Sequence, residues 1–369
     1  MGISVIYSVK EHLADLIRDL HAQAGDVTPR MVLYFASSRF QADEISHRMQ
    51  QLFPDVSVFG CSTAGEIVTG KMLKGSVVAM LFSEDVLEDV AIEVIERIST
   101  ENQIPETFTR FEDYYGLPIT EMDYRKYVGI VLFDGMSLAE ERLMDAIGNV
   151  THMTFIGGSA GDDLRFRETY VYANGKAYTD AAILALLKPR VGFDVIKTQS
   201  FCPLNKTLLA TKVNEANREV LEFNHQPAVE AYANAIGIPA DKADDAFSKH
   251  PLGLMVGDEP YVRSPQQILP DNGIRFYCHI KEGMELDILE TANIIADTTQ
   301  AIRQKREELG TISGLINFHC ILRTLELEEA ELTEAYGHIF DEFPAIGFST
   351  YGEEYIGHLN QTSTMLVFR

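Results

Sequence analysis

MVLYFASSRFQADEISHRMQQLFPDVSVFGCSTAGE, residues 31 to 66, holds one complete structural unit. MVLYFAS (31 to 37) is a run of aliphatic and aromatic residues that predicts a strand. RFQADEISHRMQQLF (39 to 53) sets Ile45, Met49 and Leu52 on one face at helical spacing. DVSVFG (55 to 60) predicts a second strand, and it runs into a turn, GCSTAGE, rich in small hydroxyl and thiol side chains. GSVVAMLF (75 to 82) predicts a further strand.

The same order returns twice. YVGIVLFDG (127 to 135) reads as strand, SLAEERLMDAIGNV (137 to 150) as helix with Ser137 and Glu140 spaced as a capping box, and MTFIGGSAGDD (153 to 163) as strand and turn. AAILALL (181 to 187) closes that copy. Near the end, GLINFHCIL (314 to 322) reads as strand, ELEEAELTEAYGHIF (326 to 340) as helix, PAIGFSTYGEEY (344 to 355) as strand and turn, and STMLVF (363 to 368) as the closing strand. The turns align as GCSTAGE, GGSAGD and GFSTYGE, and their glycines Gly60, Gly157 and Gly347 stand 97 and 190 residues apart. Between the last two copies lies a stretch of different make. It holds a hairpin (208 to 224), a helix (226 to 237), several short strands and a long helix from about 291 to 309.

Repeated strand–helix–strand units predict an α/β fold. We expect two mixed sheets in two closely packed subdomains. Right-handed crossovers place the three turns at the same end of their sheets, where ligands bind in such folds. A pocket lined by Ser62, Thr63, Ser159, Ser349, Thr350 and Tyr351 is therefore expected. The plainer alternative at each copy is a turn in which Gly supplies a positive φ and a hydroxyl caps the backbone.

Of 369 residues, 31 are Lys or Arg and 55 are Asp or Glu, a formal charge of −24. Such a surface repels phosphate backbones and anionic lipid, so neither nucleic acid nor a membrane surface is an expected partner. No apolar run approaches the length of a membrane span, and the N-terminus lacks a secretion signal, which predicts a cytoplasmic protein. Four well-separated cysteines, Cys61, Cys202, Cys278 and Cys320, suit buried reduced thiols.

GGSAG (157 to 161) has the G-x-S-x-G spacing of a nucleophile elbow, with Ser159 as nucleophile. That motif needs a helix directly after it, whereas here two aspartates precede a strand, YVYANGKAY (170 to 178), with an Asn-Gly turn. Cys61, the other nucleophile candidate, has no Lys or Arg within five residues to depress its thiol pKa. A non-enzymatic protein is expected, with a Cys or Ser hydrolase as the remote alternative. Arg263 in PYVRSP and Arg323 in CILR each follow an apolar run. A guanidinium grips carboxylates through two parallel hydrogen bonds, so both are candidates to hold a ligand carboxylate or to pair with Glu66, Asp162 or Glu353. Cys278-His279 and His319-Cys320 sit on predicted strands, where only one residue of each pair faces inward. Together they fall short of a four-ligand zinc site. Cys202, His250, His319 and His358 are the candidates for an iron ligand. Nucleotide-loop, dinucleotide-binding, zinc-protease and EF-hand signatures are all absent.

VFGCSTAGEI, FIGGSAGDD with VYANGKAYTDAAILALL, and IGFSTYGEEYIGHLNQT resemble the FIST domain family, as do HPLGL (250 to 254), PYVRSP and the segment ending in Arg323. The resemblance runs from about residue 30 to the end, and departs at HCILR (319 to 323), where the family has Ser-Cys and a Gly before the Arg. It implies an N-terminal domain over 1–206 with two repeat units and a C-terminal domain over 207–369 with the third. It implies a bacterial sensory module of signal transduction that binds a small, amino-acid-like ligand. With no room for an output domain, such a chain acts through a separate partner, and its oligomeric state is left open. A stand-alone subgroup, NosP, implies the alternative of a haem-based nitric-oxide sensor that regulates a histidine kinase. The ligand-binding candidates are Cys61, Ser62, Thr63, Gly65, Glu66, Gly158, Ser159, Asp162, Asp163, Arg263, Arg323, Ser349, Thr350, Tyr351, Glu353, Asn360 and Thr362.

Overall fold

A computed structural model describes residues 2–257 and 259–369. The chain is α/β with mixed sheets, as expected, but among the described residues the sheets number four: three of six strands and one of eight. It divides into two compact units, each assembled from separate stretches. One holds Met1–Thr198, Thr298–His358 and Ser363–Arg369, and the other Gln199–Asp297 and Leu359–Thr362. The sequence segments 1–206 and 207–369 follow a different division, because in three dimensions the third copy joins the first two.

The larger unit is built three times over from one pattern. Each copy opens with a strand and a helix: Ile3–Ser8 and Leu13–Ala24, Leu87–Glu96 and Ile104–Tyr115, Phe193–Gln199 and Ile294–Leu309. Two parallel strands joined by helix follow: Met31–Ser37 with Ser57–Thr63, Val128–Phe133 with Phe155–Ser159, Gly314–Cys320 with Ala345–Thr350. A short hairpin comes next, then a closing strand, Val77–Phe82, Ala181–Pro189 or Thr362–Phe368. In the third copy the smaller unit is inserted between the opening strand and its helix.

Each hairpin leaves its own copy. Glu66–Val68 of the first copy pairs with Ala345–Thr350 of the third. Val171–Ala173 of the second pairs with Ser57–Thr63 of the first. Glu353–Tyr355 of the third pairs with Phe155–Ser159 of the second. The three sheets therefore share one strand order, namely opening strand, closing strand, the parallel pair, and a hairpin borrowed from another copy.

Period-two alternation explains the continuous apolar runs, since these strands are buried on both faces. Met31, Leu33 and Phe35 point into a central cluster with Ile130, Leu132, Ile316, Phe318 and Phe348. Val32, Tyr34 and Ala36 point outward against Leu16, Leu20, Ile45 and Met49 of two helices. Val131 and Phe133 do the same against Phe108, Phe111, Leu143 and Ile147. The helix Ala42–Leu52 starts at Gln41, whose side chain accepts from Glu44 N at 2.6 Å.

Some elements differ from expectation. The expected capping box at Ser137 and Glu140 does not form, because the helix starts at Glu140 with Ala139 before it, and Glu140 accepts from Ser159 instead. The strand Gly314–Cys320 ends where a helix, Ile321–Glu329, begins, so Arg323 sits on a first helical turn rather than on a strand. The helix expected over 326 to 340 is broken into that helix and Thr333–His338.

In the smaller unit, Phe201–Asn214 pairs with Glu219–Phe223 as the expected hairpin, and the helix Ala228–Ile236 follows. Its core gathers Phe223, Tyr232, Phe276 and Ile288. Among the described residues no helix is long and apolar enough to cross a membrane.

Candidate functional site

The three turns meet. Ser62 is tied to the second turn from both sides: Gly161 N donates to Ser62 O at 3.0 Å, and Ser62 Oγ donates to Gly161 O at 2.8 Å. Ala64 N donates to Ser349 O at 3.3 Å, and Ser349 N to Gly65 O at 2.8 Å, which joins the first turn to the third. Ser159 N donates to Gly352 O at 2.9 Å, and Thr350 Oγ1 donates to Ser159 O at 2.7 Å, which joins the second to the third. Ser62, Thr63, Ser159 and Thr350 are wholly enclosed, and Ser349 nearly so. Ser62 and Thr350 spend their hydroxyls on the backbone of another turn, while those of Thr63, Ser159 and Ser349 meet the side chains of Glu66, Glu140 and Thr324, so each is satisfied, as buried polar groups must be.

The repeated glycines have a reason other than positive φ. Gly60, Gly157 and Gly347 lie outside the left-handed region. A Cβ on each would stand 1.8, 1.7 and 2.3 Å from the carbonyl oxygen of Tyr34, Val131 and Asn317 on the neighbouring parallel strand. Gly158 faces Thr350 Oγ1, which a Cβ would approach to 2.7 Å. Gly65 alone of the candidate glycines has a left-handed φ, +139°, and it packs against Ser349 Oγ.

Glu66 closes the first turn from within. Its carboxylate accepts from Ser76 N at 3.0 Å and Ser76 Oγ at 2.6 Å, and from Thr63 Oγ1. Burial outweighs those hydrogen bonds and pushes the carboxyl up to about 7. Asp162 is organised the opposite way. Burial opposes its charge, but the Tyr351 hydroxyl at 2.5 Å and the N–H groups of Phe166, Arg167 and Glu168 outweigh it, and the carboxyl lies below its usual range. Asp163 accepts from Ser38 Oγ at 2.8 Å.

Both nucleophile candidates are fully enclosed. Cys61 faces the central apolar cluster and burial drives its thiol well above the ordinary value. Ser159 Oγ donates to Glu140 Oε1 at 3.2 Å inside the fold.

Arg323 is the largest of the fully buried side chains. Its helix packs against the third turn through Thr324 Oγ1 and Ser349 Oγ, 2.8 Å apart, and its Nη2 donates to Thr298 Oγ1 at 3.1 Å. Glu353, on the third hairpin, is also buried. These belong to the larger unit, with all the turn residues, while Arg263, Asn360 and Thr362 belong to the smaller one. There Gln361, next to Asn360, accepts from Ser264 Oγ at 2.7 Å and donates to Ser248 O at 3.0 Å. Thr324 and Gln361 escaped the sequence reading, because neither lies in a Gly-punctuated turn or follows an apolar run directly.

The iron-ligand candidates differ in chemistry. His358 is paired with Glu354, Nδ1 to Oε1 at 2.8 Å. Burial opposes its charge, yet the Glu354 carboxylate raises it above its usual value. His319 is kept neutral by burial and by Arg323, with Nδ1 on the Tyr336 hydroxyl, but it is fully enclosed. Cys202 is exposed, against the expectation of four buried thiols, and all four cysteines are free. His250 is half-buried with Nδ1 3.2 Å from Leu289 O, an arrangement that leaves Nε2 to ligate, as in metal-binding histidines. Among the described residues no group of three or more His, Cys, Asp or Glu is gathered as a metal shell.

The uncharacterized protein MJ1623 of Methanocaldococcus jannaschii is similar, at 24% identity over 281 residues, which is 70% of this chain and 54% of that protein. The chain thus spans about half the length of the curated relative it matches. The FIST N domain model matches residues 30–226 and the FIST C domain model residues 228–355. Matched by both halves over nearly its whole length, the chain belongs to the FIST family, whose domains are sensory domains of signal transduction.

Proposed function

We propose that this protein is a cytoplasmic sensor that binds a small amino-acid-like molecule and reports its occupancy to a separate signalling protein, such as a histidine kinase. The observation that supports this most is Arg323, a fully buried guanidinium held at the carboxyl end of a central strand, against the third turn. A buried cation of this geometry is suited to a carboxylate, which it grips through two parallel N–H donors. Glu353 on the adjoining hairpin is the group to receive an ammonium. The three turns are bonded to one another, so a ligand that pulls on one biases all three. Differential binding to two arrangements is what shifts a conformational equilibrium.

A thermal-shift screen with amino acids, small organic acids and haem tests this. A true ligand raises the melting temperature, and at a hundredfold excess over Kd the stabilisation is about 2.7 kcal/mol. Arg323→Ala and Arg323→Lys, each compared with its own unliganded melt, are expected to lose the shift. An amino acid that shifts wild type and Arg323→Ala equally sinks the role of Arg323.

The alternative of a haem-based nitric-oxide sensor draws on His250, whose Nδ1 contact with Leu289 O orients the ring as a ligand. Haem would supply an iron centre for a diatomic gas. A Soret band after haem loading, lost in His250→Ala, would put this reading in place of the first.

A further inference from the structure

Apart from the unit inserted into the third copy, the copies differ at one turn. Between the second parallel strand and the hairpin, the first copy has only residues 64 and 65, and the third only 351 and 352. The second copy has residues 160–170, a loop that the other two lack. Asp162 anchors this loop by accepting from the N–H groups of Phe166, Arg167 and Glu168. Thr169 Oγ1 ties its far end to Asp134. Within that frame Leu164 and Phe166 adopt left-handed φ values of +61° and +50°, which side chains of this kind rarely take. Both are exposed, 38% and 44%.

The neighbouring loop repeats the pattern. Leu138 has φ +54° and is 62% exposed, and Met136 is 38% exposed. Tyr351 joins the two loops: Phe166 stacks on its ring at 4.9 Å, and Gly135 lies so close that a Cβ would stand 3.3 Å from Tyr351 Cδ2. Backbone strain that leaves apolar side chains exposed gathers at functional surfaces.

Charge narrows the occupant. In a chain of formal charge −24, Arg165 and Arg167 alternate with Leu164 and Phe166, all exposed, and Glu168 is exposed beside them. Arg165 lies 3.9 Å from Asp163 and Lys74 2.6 Å from Glu328, surface pairs that an incoming carboxylate can replace at little cost. Beside Leu164, a cavity of about 280 Å³ is lined by Arg39 and Lys74 as well as by Asp163. We propose that this surface docks a protein segment carrying carboxylates beside aliphatic or aromatic side chains. This rests on the sensor reading, for the signalling partner is the protein that would present such a segment, and Tyr351 connects the surface to the third turn.

The test is selection from a random peptide phage library on the immobilised full chain. Selected peptides are then measured by fluorescence anisotropy against wild type, Leu164→Ser/Phe166→Ser and Arg165→Glu/Arg167→Glu. The expected peptides combine Asp or Glu with Leu, Ile or Phe, and lose at least tenfold in affinity in both variants, whose circular-dichroism melts stay like wild type. The charge-reversal pair leaves the apolar side chains in place, so it decides the matter even if the serine pair unfolds. No enrichment, enrichment of basic peptides, or retained affinity in a folded variant overturns the proposal. Binding to phosphatidylglycerol vesicles that both variants lose, without peptide binding, assigns the surface to lipid and likewise overturns it. The amino-acid melting shift is measured in the same proteins. If it persists while peptides fail, docking is wrong and the sensor reading stands; if wild type shows none, the sensor reading fails whatever the peptides do.

Discussion

Glu66 shows how a single residue can carry a pH dependence for the whole fold. Three donors face its carboxylate, and in water that would lower its pKa, but complete burial reverses the sign. With the folded pKa raised to about 7, the native state holds a proton that the unfolded chain releases near 4.5. Where the native state binds more protons, stability falls as pH rises, so this contribution is present below about 4.5 and is lost as pH climbs to about 7. The shift is worth on the order of 3 kcal/mol. Glu66→Gln keeps a neutral group that can donate to Thr63 and accept from Ser76. Urea melts from pH 4.5 to 8 are expected to show the variant with a flatter profile and higher stability at pH 8. A variant less stable than wild type at pH 8 would mean that the charged form is the one the fold prefers.

At the scale of the element, the decisive contact is between parallel strands. Gly60, Gly157 and Gly347 each face a neighbouring carbonyl oxygen at a distance no Cβ tolerates. Backbone cannot yield as a flexible side chain can. Gly157→Ala is therefore expected to cost at least about 1–3 kcal/mol, the range for overpacking a well-packed interior. Gly148, on the helix Glu140–Val150, has open space around its Cα, and Gly148→Ala serves as the control. Chemical denaturation of the two variants should separate them clearly, and equal stability would show that the strands can part at no cost. The strand-to-helix junction at Cys320–Ile321 belongs to this scale too. It delivers Arg323 to the third turn, and a run of apolar residues across it hides the change of period from the sequence.

At the scale of the whole molecule, the exchange of hairpins makes the copies interdependent. The second copy's sheet is completed by Glu353–Tyr355, and the third copy's by Glu66–Val68. Phe35 of the first copy lies 4.5 Å from Phe348 of the third, ring to ring, so the central cluster is also shared. A fragment of residues 1–198 would keep two copies but expose the edge of Phe155–Ser159 and the part of the central cluster that Ile316, Phe318, Ile346, Phe348, Leu366 and Phe368 cover. It is expected to lack a cooperative thermal transition by near-ultraviolet circular dichroism. A sharp melt of that fragment would show that each copy folds by itself.

The sequence alone determined what is local or recurs. The strands 31 to 37, 127 to 135 and 314 to 322 were legible as apolar runs, the third of them read two residues too far, the helices at 39 to 53 and 137 to 150 as periodic stripes, and the three turns as one repeated motif. The opening strands and helices of the first two copies, Ile3–Ser8 with Leu13–Ala24 and Leu87–Glu96 with Ile104–Tyr115, went unread, since no turn motif marks them. Tertiary structure alone decided which sheet each hairpin joins and what the turn hydroxyls bond. It also made Asp162 the anchor of a loop and the repeated glycines answers to close approach rather than to positive φ. The reason is physical: periodicity and turn chemistry act within a few residues, whereas strand exchange, burial and the satisfaction of a buried hydroxyl depend on partners about a hundred residues or more away, such as Gly161 for Ser62.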